Sequence, residues 1–205
     1  MGILHGSVSY KRLLALGPVP SLGDILAGLQ AEAFRPFEDG SEEERVGFCD
    51  WRRPLNPPDP NWVEQERFWV FGLRVDTRRI PAAVLKAQVD QRLQALMQEK
   101  DLAFIGKEAR ISIQDEVKAE LLPKVMPNMK VFEMVWDRKE AVVCTTATSS
   151  KLAGLVSTLF MKCWGIEVQA LGPFVLAGMV APFIPTENLM ALDPFDLEVS
   201  NDSGE

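Results

Sequence analysis

The sequence predicts an α+β protein in which antiparallel sheets carry helices packed on one face. Helical and strand patterns follow one another in mixed order along the 205 residues. The Gly-rich turn typical of parallel dinucleotide-binding folds is absent. Apolar residues make up 47% of the chain, which is enough for a packed core. A hairpin followed by a helix occurs at 46–100 and again at 129–164, which indicates a loose internal duplication.

The first half of the chain begins with a β-prone stretch and contains two amphipathic helices. In the first helix, Ser21 and Asp24 have the spacing of a capping box. In the second, Pro81 suits the first turn and apolar residues recur at helical spacing. The acidic segment 35–45 and the proline-rich segment 52–62 predict loops. The predicted strands are 6–16, 46–51 and 66–76, and the predicted helices are 21–34 and 81–100.

The second half opens on ISIQDEVKAELLPKVMP, a helical pattern from residue 111 that Pro123 ends. Two alternating stretches follow, joined by Arg138 and Lys139, and they predict a hairpin. The next helix has Gly165 placed as its C-terminal cap. The predicted strands are 129–137, 140–148 and 166–171, the helix is 149–164, and the tail from residue 172 is expected to be irregular. We divide the chain into 1–105, a helical tip segment 106–128, 129–171 and an acidic tail 172–205.

Charge is unevenly distributed along the chain. The net charge is −7, but seven acids and no basic residue follow Lys162. Residues 74–162 carry 15 basic and 11 acidic side chains. Because a polyanion responds to the local field and not to the total charge, the middle of the chain is where a polyanion could bind, and a solvated surface of mixed charge is the alternative.

Sequence signatures of enzymes and of metal sites are missing. The chain has neither a phosphate-binding GxxxxGK[ST] nor a GxGxxG segment, and His5 is its only histidine. Its three cysteines have no CxxC spacing, which argues against zinc and against a disulfide framework. We therefore predict no catalytic residue, no metal and no cofactor. No apolar run reaches the length of a membrane helix, so we expect no membrane partner and a cytoplasmic location.

The segment KEARISIQDEVKAELLPK, with FEMVWD and AVVCTTATSSKLAGLV after it, resembles the bacterial RdgC family of recombination-associated proteins. SYKRLL, FRP, VGF and IPAAV also agree, so the resemblance covers about residues 5–170. It implies a nucleoid-associated homodimer that forms a ring around duplex DNA, binds with little sequence preference and restrains RecA-driven strand exchange. The helix-and-proline element would form a projecting tip. Met126 stands where better-known members carry a phenylalanine that engages the partner, and this chain lacks most of their C-terminal part.

Non-specific duplex binding needs lysine and arginine spaced along a surface. The candidates are Arg74, Arg78, Arg79, Lys86, Lys107, Arg110, Lys118 and Lys124. Two alternatives stay open. A shortened relative could act through protein contacts without binding DNA, which the acidic tail and the apolar GPFVLAGMVAPFIP would suit. A nuclease is the other, although no group of carboxylates in the sequence supports it.

Overall fold

One antiparallel sheet organises residues 8–38, 40–101 and 103–180, the parts of the chain that the computed structural model describes. The sheet order is β2-β4-β5-β6-β1-β7, with β3 paired to β4 outside this path. The strands are β1 (Lys11–Leu16), β2 (Glu44–Cys49), β3 (Glu64–Gln65), β4 (Phe68–Thr77), β5 (Asn128–Asp137), β6 (Val142–Thr145) and β7 (Glu167–Ala170). The predicted α+β class and antiparallel pairing are confirmed, but the strands form a single sheet because β1 pairs with both β6 and β7.

Six helices accompany the sheet in the described residues: α1 (Leu22–Ala31), α2 (Pro60–Val63), α3 (Ala82–Glu99), α4 (Lys107–Leu121), α5 (Ser150–Trp164) and α6 (Pro173–Val180). The Ser21–Asp24 capping box is present, since each side chain accepts a hydrogen bond from the backbone N–H of the other residue. Gly165 ends α5 in the left-handed conformation, with φ 65°. Both helix ends therefore follow local rules that the sequence already indicated.

The main core lies between one face of the sheet and helices α1 and α5. Alternate residues of β4, among them Trp69, Phe71 and Leu73, point into it and are almost fully buried. Trp136 of β5 packs against Trp69 with ring centroids 5.3 Å apart and against Phe160 of α5 at 5.1 Å. The aromatic strand predicted at 66–76 is therefore present as β4, and every second side chain on its buried face is large and apolar.

Helices α3 and α4 form a separate antiparallel hairpin, which we call the helical hairpin. It is inserted between β4 and β5, and it continues from the end of their ladder where Thr77 pairs with Asn128. Leu93, Ile113 and Val117 make a small core of its own, which shares no residue with the main core. The hairpin can therefore present both of its flanks to a partner.

Pro123 and Pro127 lie at the end of the hairpin nearest the sheet, and the connection between α3 and α4 forms the distal end. Pro123 lies close to Gly40, where an added Cβ would meet its ring at 2.4 Å. The projecting tip that the resemblance placed at the prolines thus lies at the other end. The reason is that α4 runs back toward the sheet, so the prolines that end it must sit at its base.

Several boundaries differ from the predictions. Helix α4 starts at Lys107 and not at residue 111, because Gly106 takes an extended N-cap conformation and helix-forming residues follow it. The tail predicted to be irregular begins with α6, whose first residue Pro173 suits a helix start. Residues 1–7, which include His5, and 181–205 lie outside the described ranges. The two hairpin-plus-helix units differ, since α2 and β3 interrupt only the first, and α5 packs on the sheet whereas α3 packs on α4.

Cys49 is fully buried, and desolvation raises the pKa of its thiol to about 12. Because the thiolate is the reactive form, a raised pKa disfavours attack on disulfide reagents. We expect Cys49 to react with Ellman's reagent at pH 8 only after unfolding. The measurement is a thiol count in buffer and in urea, where all three cysteines should react. Rapid reaction of three thiols in buffer would contradict the packing around β2.

Candidate nucleic-acid interface

The helical hairpin has two flanks of different charge. Arg92 of α3 pairs with Glu120 of α4 at 2.5 Å and marks one flank. Successive residues of a helix are about 100° apart, so Lys86 falls on the other side of the buried row that contains Leu93. On α4, Lys107, Arg110 and Lys118 fall within about 80° of one another, also on that other flank. We call Lys86, Lys107, Arg110 and Lys118 the basic face.

Three members of the basic face are exposed and available to a ligand. Lys86, Lys107 and Arg110 are exposed and form no ion pair with any residue that the structure describes. Asp90 of α3 lies on this flank by helical spacing, and Asp115 of α4 is close enough to Lys118 to help raise its pKa. Lys107 and Lys118 are separated by about 16 Å along α4, at 1.5 Å per residue. The face is therefore a spaced row of cations and not a single point charge.

Lys118, the fourth member, is tied to the body of the protein. Its ammonium group contacts the carboxylate of Glu43, which precedes β2. The hydrogen bond that Lys118 donates to Glu43 is the main cause that raises the pKa of Lys118. Both side chains are about half exposed, so the pair contributes little to stability and a phosphate could replace the carboxylate.

Arg74 has a structural role that removes it from the candidate surface. Its Nε donates to Asp76 Oδ1 at 2.8 Å and its Nη2 donates to Oδ2 at 2.6 Å. A further bond from Nη1 reaches Pro54 O at 3.2 Å, and the guanidinium lies 4.0 Å from the Phe34 ring centroid. The side chain is 13% exposed. The hydrogen bonds to Asp76 raise the pKa of Arg74, so it stays charged and paired.

The remaining candidates lie around the base of the hairpin. Arg78 is half-buried with its guanidinium 4.1 Å from the centroid of the Phe37 ring, and Arg79 beside it is exposed. Lys124 lines a groove on the Arg92 flank, so it is not part of the basic face. Met126, predicted as a dimer contact, is 88% exposed and lies two residues before the start of β5. These four residues surround the base and do not extend the row on α4.

Lys100 is a cation that the sequence reading missed. It follows α3 directly and is exposed at the distal end of the hairpin. The signal was present, because Lys100 comes fourteen residues after Lys86, which is close to four full turns of a helix. Spacing along the helix would therefore have added it to the candidates.

The described residues contain no candidate metal centre. Within those ranges, no group of three or more His, Cys, Asp or Glu side chains is placed to hold a metal ion. None of the helices found there combines the length and the apolar content needed to cross a membrane. What the site offers is cationic surface on a helical hairpin.

Over the residues that the structure describes, the fold and site define an α+β protein with a single antiparallel sheet and a projecting helical hairpin that is basic on one flank. A family model described as "Putative exonuclease, RdgC" matches residues 17–173. The chain belongs to the RdgC family. The resemblance carried by the segment around Asp115 and Pro123 is thus confirmed.

Curated relatives carry the name "Recombination-associated protein RdgC". One from Actinobacillus pleuropneumoniae serotype 5b is 28% identical over 138 residues, which is 67% of this chain and 44% of the relative. Another, from Halorhodospira halophila, is 28% identical over 137 residues, with the same two shares. The chain therefore matches less than half the length of these relatives.

Proposed function

We propose that this protein binds duplex DNA through the basic face of its helical hairpin, without reading base sequence, and acts in homologous recombination. The name of the relatives, recombination-associated protein, supports a role in recombination. The exposed cations of the basic face that lack a carboxylate partner support a polyanion as the ligand. The family description also names an exonuclease, so exonuclease activity is a second function to test.

The observation that carries the proposal is the placement of Lys86, Lys107 and Arg110 on one flank of an element that stands apart from the main core. Long, flexible cations in a row suit phosphates, which lie at regular intervals and carry no sequence information. Base readout needs side chains held rigidly for bidentate contact. The basic face offers no such group, so the proposed binding is non-specific.

We further propose that the protein works as a homodimer. The resemblance implies a ring around duplex DNA that restrains RecA, and two copies of the basic face would then line one duplex. Met126, being 88% exposed, is available for a contact with a partner subunit. Light scattering measures the oligomeric state, and a monomer at micromolar concentration would contradict this part of the proposal.

Replacing Lys107 and Arg110 together with glutamate is expected to weaken duplex binding at least roughly tenfold, to the same extent for unrelated sequences. The reason is that two attractive contacts per protomer become repulsive. The measurement is fluorescence anisotropy with two labelled duplexes of different sequence at low salt. Both residues are exposed, so the variant should fold normally.

The control is Lys139→Glu, compared with the single variant Lys107→Glu that makes the same change in net charge, because Lys139 is exposed in the turn between β5 and β6, at the opposite end of the sheet. Equal loss of affinity in the control would mean that total charge matters and the basic face does not. Unchanged affinity of the double variant would remove Lys107 and Arg110 from the interface. Denaturing gels of the same samples with Mg²⁺ show whether DNA is also degraded.

A further inference from the structure

The row of exposed residues along α4 is mixed, with cations and one apolar side chain. Lys107, Ile111, Gln114 and Lys118 follow one another at helical spacing. Ile111 is 50% exposed although it lies in this charged row. A phosphate backbone has no apolar group to place on Ile111. A ligand that alternates acidic and apolar groups would use the whole row.

The chain itself contains a segment with that chemistry. Residues 193–199 read DPFDLEV, in which Phe195 and Leu197 are interleaved with Asp193, Asp196 and Glu198. No basic residue follows Lys162, so nothing within this segment neutralises its acids. The segment and the α4 row are therefore complementary in charge and in apolar pattern.

The sheet topology directs β7, the last strand before this segment, toward the hairpin end of the sheet. Strand β7 runs from Glu167, opposite Leu16, to Ala170, opposite Leu13. That direction takes the chain to the end of the sheet from which the helical hairpin extends. β7 lies three strands from β5, which is about 15 Å. The thirteen residues from Val180 to Asp193 can span up to about 45 Å.

We propose that the acidic segment 193–199 binds in the same molecule to the basic face and Ile111, and competes there with DNA. This inference rests on the proposed function for its consequence, which is a higher DNA affinity when the segment is displaced. The contact itself is independent of DNA, so the two ideas can fail separately.

Carbodiimide coupling of lysine to carboxylate tests the contact in the full chain without DNA. Trypsin then releases one C-terminal fragment, 163–205, because the chain has no later cleavage site. We expect this fragment joined to peptides containing Lys86, Lys107 or Lys118, with the bond at Asp193, Asp196 or Glu198. Mixing ¹⁴N and ¹⁵N protein separates bonds within one chain from bonds between two.

Two variants and one control lysine sharpen the test. The variant with Asp193→Asn, Asp196→Asn and Glu198→Gln should lose the cross-link and bind duplex DNA about three- to tenfold more tightly, the size expected for a few exposed ion pairs. Ile111→Ser should lower the cross-link yield without lowering DNA affinity. Lys139, at the far end of the sheet, should not couple.

The possible outcomes distinguish a failure of this inference from a failure of the proposed function. Coupling to Lys139 as efficient as coupling to Lys107 overturns the inference, and so do links found only between chains or no link at low salt. Specific coupling in a protein that binds no DNA supports this contact and refutes the proposed function. This inference alone is refuted if the unaltered chain gives no cross-link and the variant with Asp193→Asn, Asp196→Asn and Glu198→Gln binds DNA with the same affinity as the unaltered chain.

Discussion

Duplex DNA binding by this protein is expected to fall by about 10³- to 10⁵-fold between 50 and 200 mM salt, if six to ten phosphates are neutralised per complex. A dimer with two basic faces of four cations each would fall within that range. The physical cause is the release of counterions from DNA, which becomes less favourable as the salt concentration rises.

The measurement is a series of anisotropy titrations at several salt concentrations, plotted as log affinity against log salt. The slope should be about −0.9 for each neutralised phosphate, so eight contacts predict a slope near −7. Lys107→Gln should make the slope shallower by about two for a dimer, one per protomer. Lys139→Gln is the control and should leave it unchanged. A flat plot would remove phosphate contacts as the basis of binding.

Most of the fold could be predicted because local rules decide it. The apolar stripes of α1 and α5, the Ser21–Asp24 box and Gly165 act within one or two turns of chain. The alternation in β4 likewise needs only its own residues. The packing of α3 could not be predicted in this way, since its stripe fits a sheet as well as another helix. Only the α4 partner in three dimensions decides between them.

The candidate site was predictable in part for a related reason. A list of cations in a basic region treats Arg74 and Lys107 alike, yet one is enclosed and the other exposed. The two residues can be distinguished once the residue spacing of the strand or helix that carries each one is taken into account. On a strand, Arg74 and Asp76 point to the same side and can pair, whereas on a helix Lys107 and Lys118 share a flank on which Ile111 and Gln114 lie between them. Secondary structure must therefore be assigned before charge is counted.

Arg74→Ala is expected to destabilise the protein by about 3 kcal/mol, the lower end of the range for breaking a buried ion pair. Asp76 is 2% exposed, and without Arg74 its carboxylate would lose two hydrogen bonds while it remains away from water. The lower end applies because the Arg74 side chain retains 13% exposure. Urea denaturation followed by tryptophan fluorescence measures the loss as a lower midpoint with an unchanged slope.

Two further variants separate this structural role from a role in DNA binding. Arg79→Ala, an exposed neighbour, should change the free energy of unfolding by less than about 0.5 kcal/mol. Arg74→Met combined with Asp76→Leu should recover much of the stability that Arg74→Ala loses, because an apolar pair of similar size avoids an uncompensated charge. The folded fraction of Arg74→Ala should bind DNA with unchanged affinity. If it instead lost affinity and kept its stability, Arg74 would belong to the interface, and the basic face would have to extend from the hairpin onto β4.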